Sequence, residues 1–375
     1  MYYKDDWLKA KERLTAFWQG EMLDRCLVAV FAPRKTSKVS FPELQNGPWL
    51  GGLDDFSDHE HDKIKNWWTD PEENYKRAVY WFENTYFGGE AIPATYINWG
   101  AMAEAAFFGS EPIFTKNTVW YPEVIVDWEK WAWRFEKETN PWWNKILDIQ
   151  KHFISNCNGR YLVGMPELGN AADLLSLMRG TDKLAIDLIE NPREIKTAVD
   201  ILGTTWCSLH EELFLMTEYL NDGGGVLPWM SLWAPGRHDQ LACDFSGLIS
   251  GSMFEEFFVP DIRRMGQWAT YGTYHLDGPA CMNTHLDTLL NIEEIKNIEW
   301  TYGIGSPPTY TPDYIPKYKK IQKAGKNLYL LAQKHEIEPL LSELSAQGLF
   351  LCTSADSQEE ADDIIKNVEK WSVAR

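Results

Sequence analysis

Short apolar runs alternate with amphipathic stretches along most of this chain, and that rhythm carries the fold expectation. The runs AIPATYINWG (91–100), RYLVGMPELG (160–169), GGVLPWMSLWAP (224–235) and QLACDFSGLIS (240–250) open the series. YGTYHLDGP (271–279), NIEWTYGIG (297–305), NLYLLAQ (327–333) and GLFLCTSAD (348–356) continue it. Helical patterns separate most of them, including residues 183–213, 252–269 and 357–372. Repeated β–α alternation predicts a parallel sheet with helices outside it. Eight runs in one chain favour a closed (β/α)8 barrel over an open doubly wound sheet.

Ahead of the series, residues 5–19 predict a helix and DRCLVAVFAP (24–33) a short strand. Residues 34–66, rich in Pro, Gly, Asp and His, predict a long excursion with little regular structure. DPEENYKRAVYWFENT (70–85) predicts a helix that begins on an acidic turn. The expected organisation is an N-terminal helical and irregular segment, 1–89, packed on a barrel domain, 90–375. No GxGxxG or GxxxxGK[ST] follows any run, so neither a Rossmann site nor a P-loop is expected.

A barrel gathers its chemistry at the carboxyl ends of its strands. That rule selects Asn98, Glu167, Trp233, Asp244, His275, Asp277, Tyr302, Gln333 and Cys352. His275 and Asp277 stand two apart on one strand, so they project to the same face. They are either a satisfied pair or the start of a metal or catalytic site. Cys352 ends another strand, where a free cysteine can equally be a small buried hydrophobe. Imidazole, carboxylate and thiolate together would make a three-ligand zinc set with one open position. Glu167 either caps the helix that follows it or enters the mouth as an exchangeable ligand or general base. Asp244 caps a turn or reaches the same mouth. His59 and His61 lie in a charged loop and are expected to be solvated, and HEIEP (335–339) lacks the second His of a zincin motif.

Composition narrows the partners. Lys and Arg number 36 against 55 Asp and Glu, a net charge of −19, which opposes binding to nucleic acid or anionic membranes. No run approaches 18 apolar residues and the first residues hold no apolar leader, so a cytoplasmic protein is expected. The six cysteines show no CxxC spacing, as expected of reduced thiols. Trp128, Trp131 and Trp142 sit near helical spacing in WEKWAWRFEKETNPWWNKIL, as packing residues or as an apolar wall for an aromatic or methylated substrate.

CDFSGLISGSMFEEFFVPDIRRMGQWATYGTYHLDGP resembles the uroporphyrinogen decarboxylase superfamily, with its Asp-x-x-Gly-x-x-Ser-x-x-x-Phe-x-x-Phe-x-x-Pro run leading to a strand that bears a His. MPELGNAADLLSLMRG and GLFLCTSADSQEEADDII extend the resemblance over residues 90–372. It implies a TIM barrel and two branches of activity. The decarboxylases use no metal and grip an anionic tetrapyrrole through early arginines and an Asp; Arg25 stands near such a position.

The other branch is the zinc methyltransferases that work with corrinoid proteins, which carry His-x-Cys on one strand and a late Cys. His275 and Cys352 match that pattern, and Asp277 replaces the middle Cys. This branch is the leading expectation. Zn²⁺ would sit on His275, Asp277 and Cys352, with Glu167, Asp244 and Tyr302 as catalytic groups. Asn98, Trp99, Trp233 and Gln333 would contact the substrate. Cobalamin would arrive on a partner corrinoid protein, and a small methyl donor or acceptor, such as a methoxyaromatic or quaternary amine, would fill the mouth. One fewer thiolate would make the zinc more Lewis acidic. A homodimer is compatible with this reading. A metal-free decarboxylase and a non-catalytic binding protein on the same scaffold are the alternatives.

Overall fold

The computed structural model describes residues 1–37, 53–303 and 305–374. Its strands in chain order are β1 (Leu27–Pro33), β2 (Thr85–Gly89), β3 (Ala94–Thr95), β4 (Ile113–Phe114), β5 (Val119–Trp120) and β6 (Leu162–Val163). They continue with β7 (Gly225–Leu227), β8 (Leu232–Ala234), β9 (Gln240–Ala242), β10 (Gly272–Asp277), β11 (Ile295–Thr301), β12 (Asn327–Leu331) and β13 (Leu349–Ser354). Seven form one sheet in the order β2-β1-β13-β12-β11-β10-β9. All its pairings are parallel except β1 with β2. β3 pairs with β6 in parallel, and β7 with β8 as an antiparallel hairpin.

The smaller pieces connect through isolated backbone bonds, Met165 N–H to the Val226 carbonyl and Glu167 N–H to the Ile97 carbonyl. Among the described residues these ladders do not join into one closed ring. The architecture is α/β with a central, mostly parallel sheet, as the alternating pattern predicts. β1 and β2 belong to that sheet, β1 beside β13, so residues 1–89, expected to pack on the outside, supply two of its strands.

Local chemistry explains where elements start and stop. Asp70 caps the helix Pro71–Asn84 by accepting from the Glu73 N–H, and Asn140 caps Pro141–Cys157 through the N–H groups of Trp142 and Trp143. The helix expected over 183–213 is two helices, Thr181–Glu190 and Pro192–Thr217. Pro192 lacks an N–H and pushes Asn191 out of helical geometry, to φ −130° and ψ 47°. Pro260 similarly begins the second of two helices, Gly251–Phe257 and Val259–Trp268, where one was expected. In the excursion expected over 34–66, HDKIKNWWT forms a helix, His61–Thr69, because Ile64, Trp67 and Trp68 share a buried side. The rest of that excursion lies partly outside the described residues. Trp128 and Trp131 precede the helix that carries Trp142, so the three form no single helical stripe.

At the amino end of β1, Arg25 and Glu90 form a two-pronged ion pair, at 2.7 and 2.8 Å, with both side chains buried. Glu90 also accepts from the Val28 N–H at 2.8 Å. Removing one charge from such a pair leaves the other uncompensated in the interior, at a cost of about 3–5 kcal/mol. Glu90→Gln is therefore expected to lower the urea midpoint by a shift of that size, while exposed Glu73→Gln leaves it nearly unchanged.

Candidate functional site

The register of the central sheet assembles the site. His275 on β10 pairs with Glu299 on β11, Glu299 with Tyr329 on β12, and Tyr329 with Phe350 on β13. Partners across a parallel ladder project to the same face, so these side chains form one row. Two residues further along, Asp277, Thr301, Leu331 and Cys352 form the next row, at the carboxyl ends of the strands.

Glu299 is fully buried and holds His275 in place. Its Oε2 lies 2.5 Å from His275 Nδ1, and its Oε1 accepts from the Thr301 hydroxyl at 2.7 Å. Burial alone would lower the imidazole pKa; the charges of Glu299, Asp244 and Asp277 outweigh it and raise it to about 9. The ring is therefore an imidazolium at neutral pH. With Nδ1 engaged, Nε2 is the ring nitrogen left for a ligand. Trp229, on the β7–β8 turn, packs edge-on against this ring at 5.3 Å.

Around His275 opens a cavity of about 370 Å³, also lined by Tyr96, Asn98, Glu167, Asp173 and Asp244. Glu167 accepts a short hydrogen bond from the Tyr96 hydroxyl. Burial pushes the Glu167 carboxyl up to about 7, His275 opposing and Asp239 and Asp244 adding to the rise. Asp173 accepts from the N–H groups of Phe245 and Asp244, at 2.9 and 3.2 Å, which fixes the turn that carries Asp244. Asp173 and Asp244 are both raised above the ordinary carboxylate range, by burial first, with the neighbouring Asp244 adding to the rise of Asp173. Among the described residues that line this space there is no Lys or Arg.

Of the residues expected from sequence, Asn98, Glu167, Asp244 and His275 meet at the cavity. The others stand elsewhere. Trp99 is buried with its indole N–H on the Trp68 carbonyl, and Trp233 is buried with its indole N–H on the Asn221 carbonyl. Both are core packing residues and not substrate walls. Gln333 is exposed and caps the short turn Lys334–Glu336 through reciprocal bonds with Glu336. Tyr302 follows β11, half-buried and outside the lining. His59 and His61 are exposed.

The zinc set expected from the resemblance is not gathered. Among the described residues no three His, Cys, Asp or Glu side chains stand close enough together to hold a metal. Burial raises the Cys352 thiol to about 11, and Nδ1 of His275 is taken up by Glu299. As arranged, the described residues do not form a ready-made zinc centre. Arg25 is likewise absent from the cavity, being paired with Glu90 at the opposite ends of the strands.

Sequence reasoning missed Glu299, Asp173, Tyr96 and Trp229. A charged residue inside the apolar run of β11 was the available signal for Glu299.

No family model and no curated protein matches the chain. Among solved structures it is similar to a methyltransferase from Methanosarcina mazei, with a TM-score of 0.61 and 15% identity over 96% of this chain and 98% of that one. At that identity the likeness speaks for a shared fold.

Two measurements check this geometry. Metal analysis of protein purified without added metal is expected to find well under one zinc per chain; stoichiometric zinc, lost in both His275→Ala and Cys352→Ala, would instead restore the three-ligand set. The second concerns Glu167, whose folded pKa is raised from 4.5 to about 7. A carboxyl raised in this way costs nothing below its unfolded value, and its penalty grows until pH passes the folded value. Glu167→Gln keeps an acceptor for Tyr96 and removes the charge. It is expected to raise the thermal midpoint more at pH 8 than at pH 5, by an amount equivalent to at most about 3 kcal/mol.

Proposed function

We propose that this chain is a methyltransferase on a (β/α)8 barrel of the uroporphyrinogen decarboxylase type, moving a methyl group between a small methylated substrate and a corrinoid carried by a partner protein. The observation that carries the reading is the His275–Glu299 pair at the carboxyl ends of β10 and β11, facing a cavity of small-molecule size. Two further points support it: the sequence run that ends in this His, and the fold likeness to a protein named as a methyltransferase.

The partner's corrinoid would supply the cobalt that takes up or gives the methyl group. The chain's own part is to bind, orient and move a proton. Tyr96, Asn98 and Trp229 shape the pocket around the substrate. For an ether or thioether donor, the His275 imidazolium can give its Nε2 proton to the electron pair left on the heteroatom when its bond to methyl breaks; a methylated ammonium leaves as a neutral amine and takes none. Glu299 keeps the ring oriented and charged. Glu167, half protonated near neutral pH, can return that proton from the cavity side.

The metal-free decarboxylase reading has less support, because a polycarboxylate would meet Glu167, Asp173 and Asp244 with no Lys or Arg among the described lining residues. A carrier without turnover is separated by assay. Chemically reduced cobalamin, mixed with the protein and a panel of methyl ethers, thioethers and methylated amines, reports methylation through its absorbance. Transfer is expected for one class of donor, with His275→Ala slower by about 100-fold or more. No transfer from any donor, in either direction, would leave the reading without an activity.

A further inference from the structure

The cavity described above is unbalanced in charge. His275 and Glu299 neutralise each other at 2.5 Å, which leaves Glu167, Asp173 and Asp244 facing one space. Asp173 is compensated by two backbone N–H groups, and Glu167 by the Tyr96 hydroxyl. No salt bridge to Lys or Arg reaches any of the three among the described residues. Two other buried acids are paired with arginine, Glu90 with Arg25 and Asp187 with Arg179, while the fully buried Glu104 has no such partner among the described residues but does not face this space. Carboxylates left without a counter-charge in a partly dry site are costly, and a cation entering the space removes that cost.

The rest of the lining speaks to the shape of such a cation. Trp229 is half-buried, packed edge-on to His275, and fixed by its indole N–H on Gln240 Oε1 at 2.8 Å. Tyr96, Ala101, Met102 and Ala242 supply further apolar surface. Aromatic faces attract cations, most of all bulky ones that shed water easily. A small hydrated metal ion would instead want three or more oxygen donors converging on a point, and no such group of acidic side chains exists among the described residues. The volume, about 370 Å³, is that of a small organic ligand and not of a single ion.

We infer that this cavity binds an organic cation with a methylated nitrogen, its charge set against Glu167 and Asp244 and its methyl groups against Trp229. Its use as the methyl donor rests on the methyl-transfer reading; its binding does not. The inference narrows the substrate class to methylated amines, ahead of methoxyaromatics and thiols.

Choline and 3,3-dimethyl-1-butanol have the same shape and differ in charge, which makes them the discriminating probes. Calorimetric titration at pH 8 is expected to show choline and tetramethylammonium binding at least 10-fold tighter than the neutral alcohol. Asp244→Asn and Glu167→Gln, checked for native circular dichroism, are expected to cut that preference several-fold each while leaving the alcohol unaffected. Equal binding of choline and the alcohol, or a preference for 4-methoxybenzoate over choline, would overturn the inference, as would charge-dependent binding that both variants leave intact. If choline binds with the expected preference and no methylated amine transfers methyl to reduced cobalamin, the binding inference stands and the methyl-transfer reading falls. Transfer from a neutral ether without any cation preference has the opposite meaning.

Discussion

A carboxylate in the middle of a buried sheet has to find a counter-charge, and Glu299 finds it in His275. The two residues face each other across a parallel ladder, so no loop has to move to bring them together. Glu299 makes its second bond to Thr301, two residues along its own strand. The pair therefore belongs to the rigid part of the fold, and the imidazole it charges is presented to the cavity by the sheet itself. Rigid placement of this kind is what a site needs if a proton is to be held at one defined atom. The acids opposite it, Glu167, Asp173 and Asp244, come from the segments after β6 and β9; burial raises all three, and the charge of Asp244 adds to the rise of the other two.

The two ends of the strands carry different tasks. At the amino end, Arg25 and Glu90 are buried, mutually satisfied and tied to the backbone of β1, a stabilising arrangement. At the carboxyl end the polar groups are incompletely compensated and face open space. That division matches the general behaviour of barrels, where one end holds the fold and the other the chemistry. It also separates Arg25 from the role that the decarboxylase resemblance suggested for it.

Much of this was legible in the order of residues. Short apolar runs separated by amphipathic stretches placed β10, β12 and β13 to within two residues and β11 to within four, because buried parallel strands are nearly continuous in apolar character. Glu167, Asp244 and His275 were legible because they stand where such runs end. What could not be read was which side chains from distant strands share a row. Register decides that, and it places Glu299, not Asp277, against His275. The tryptophans misled for a related reason: Trp99 and Trp233 lie at strand ends, yet backbone carbonyls nearby satisfy their indole N–H groups and draw them into the core. Helix breaks at Pro192 and Pro260 were visible in the sequence but were outweighed by the amphipathic pattern on either side.

The charge state of His275 bears both on proton transfer and on the balance of charge in the cavity. Proton titration of the protein by histidine-detected NMR, with His275→Gln used for assignment, measures it directly. The arrangement predicts an imidazolium at pH 7.5 that titrates near 9 and moves down markedly in Glu299→Gln. A His275 that is neutral at pH 7.5, or whose titration is indifferent to Glu299, would contradict it.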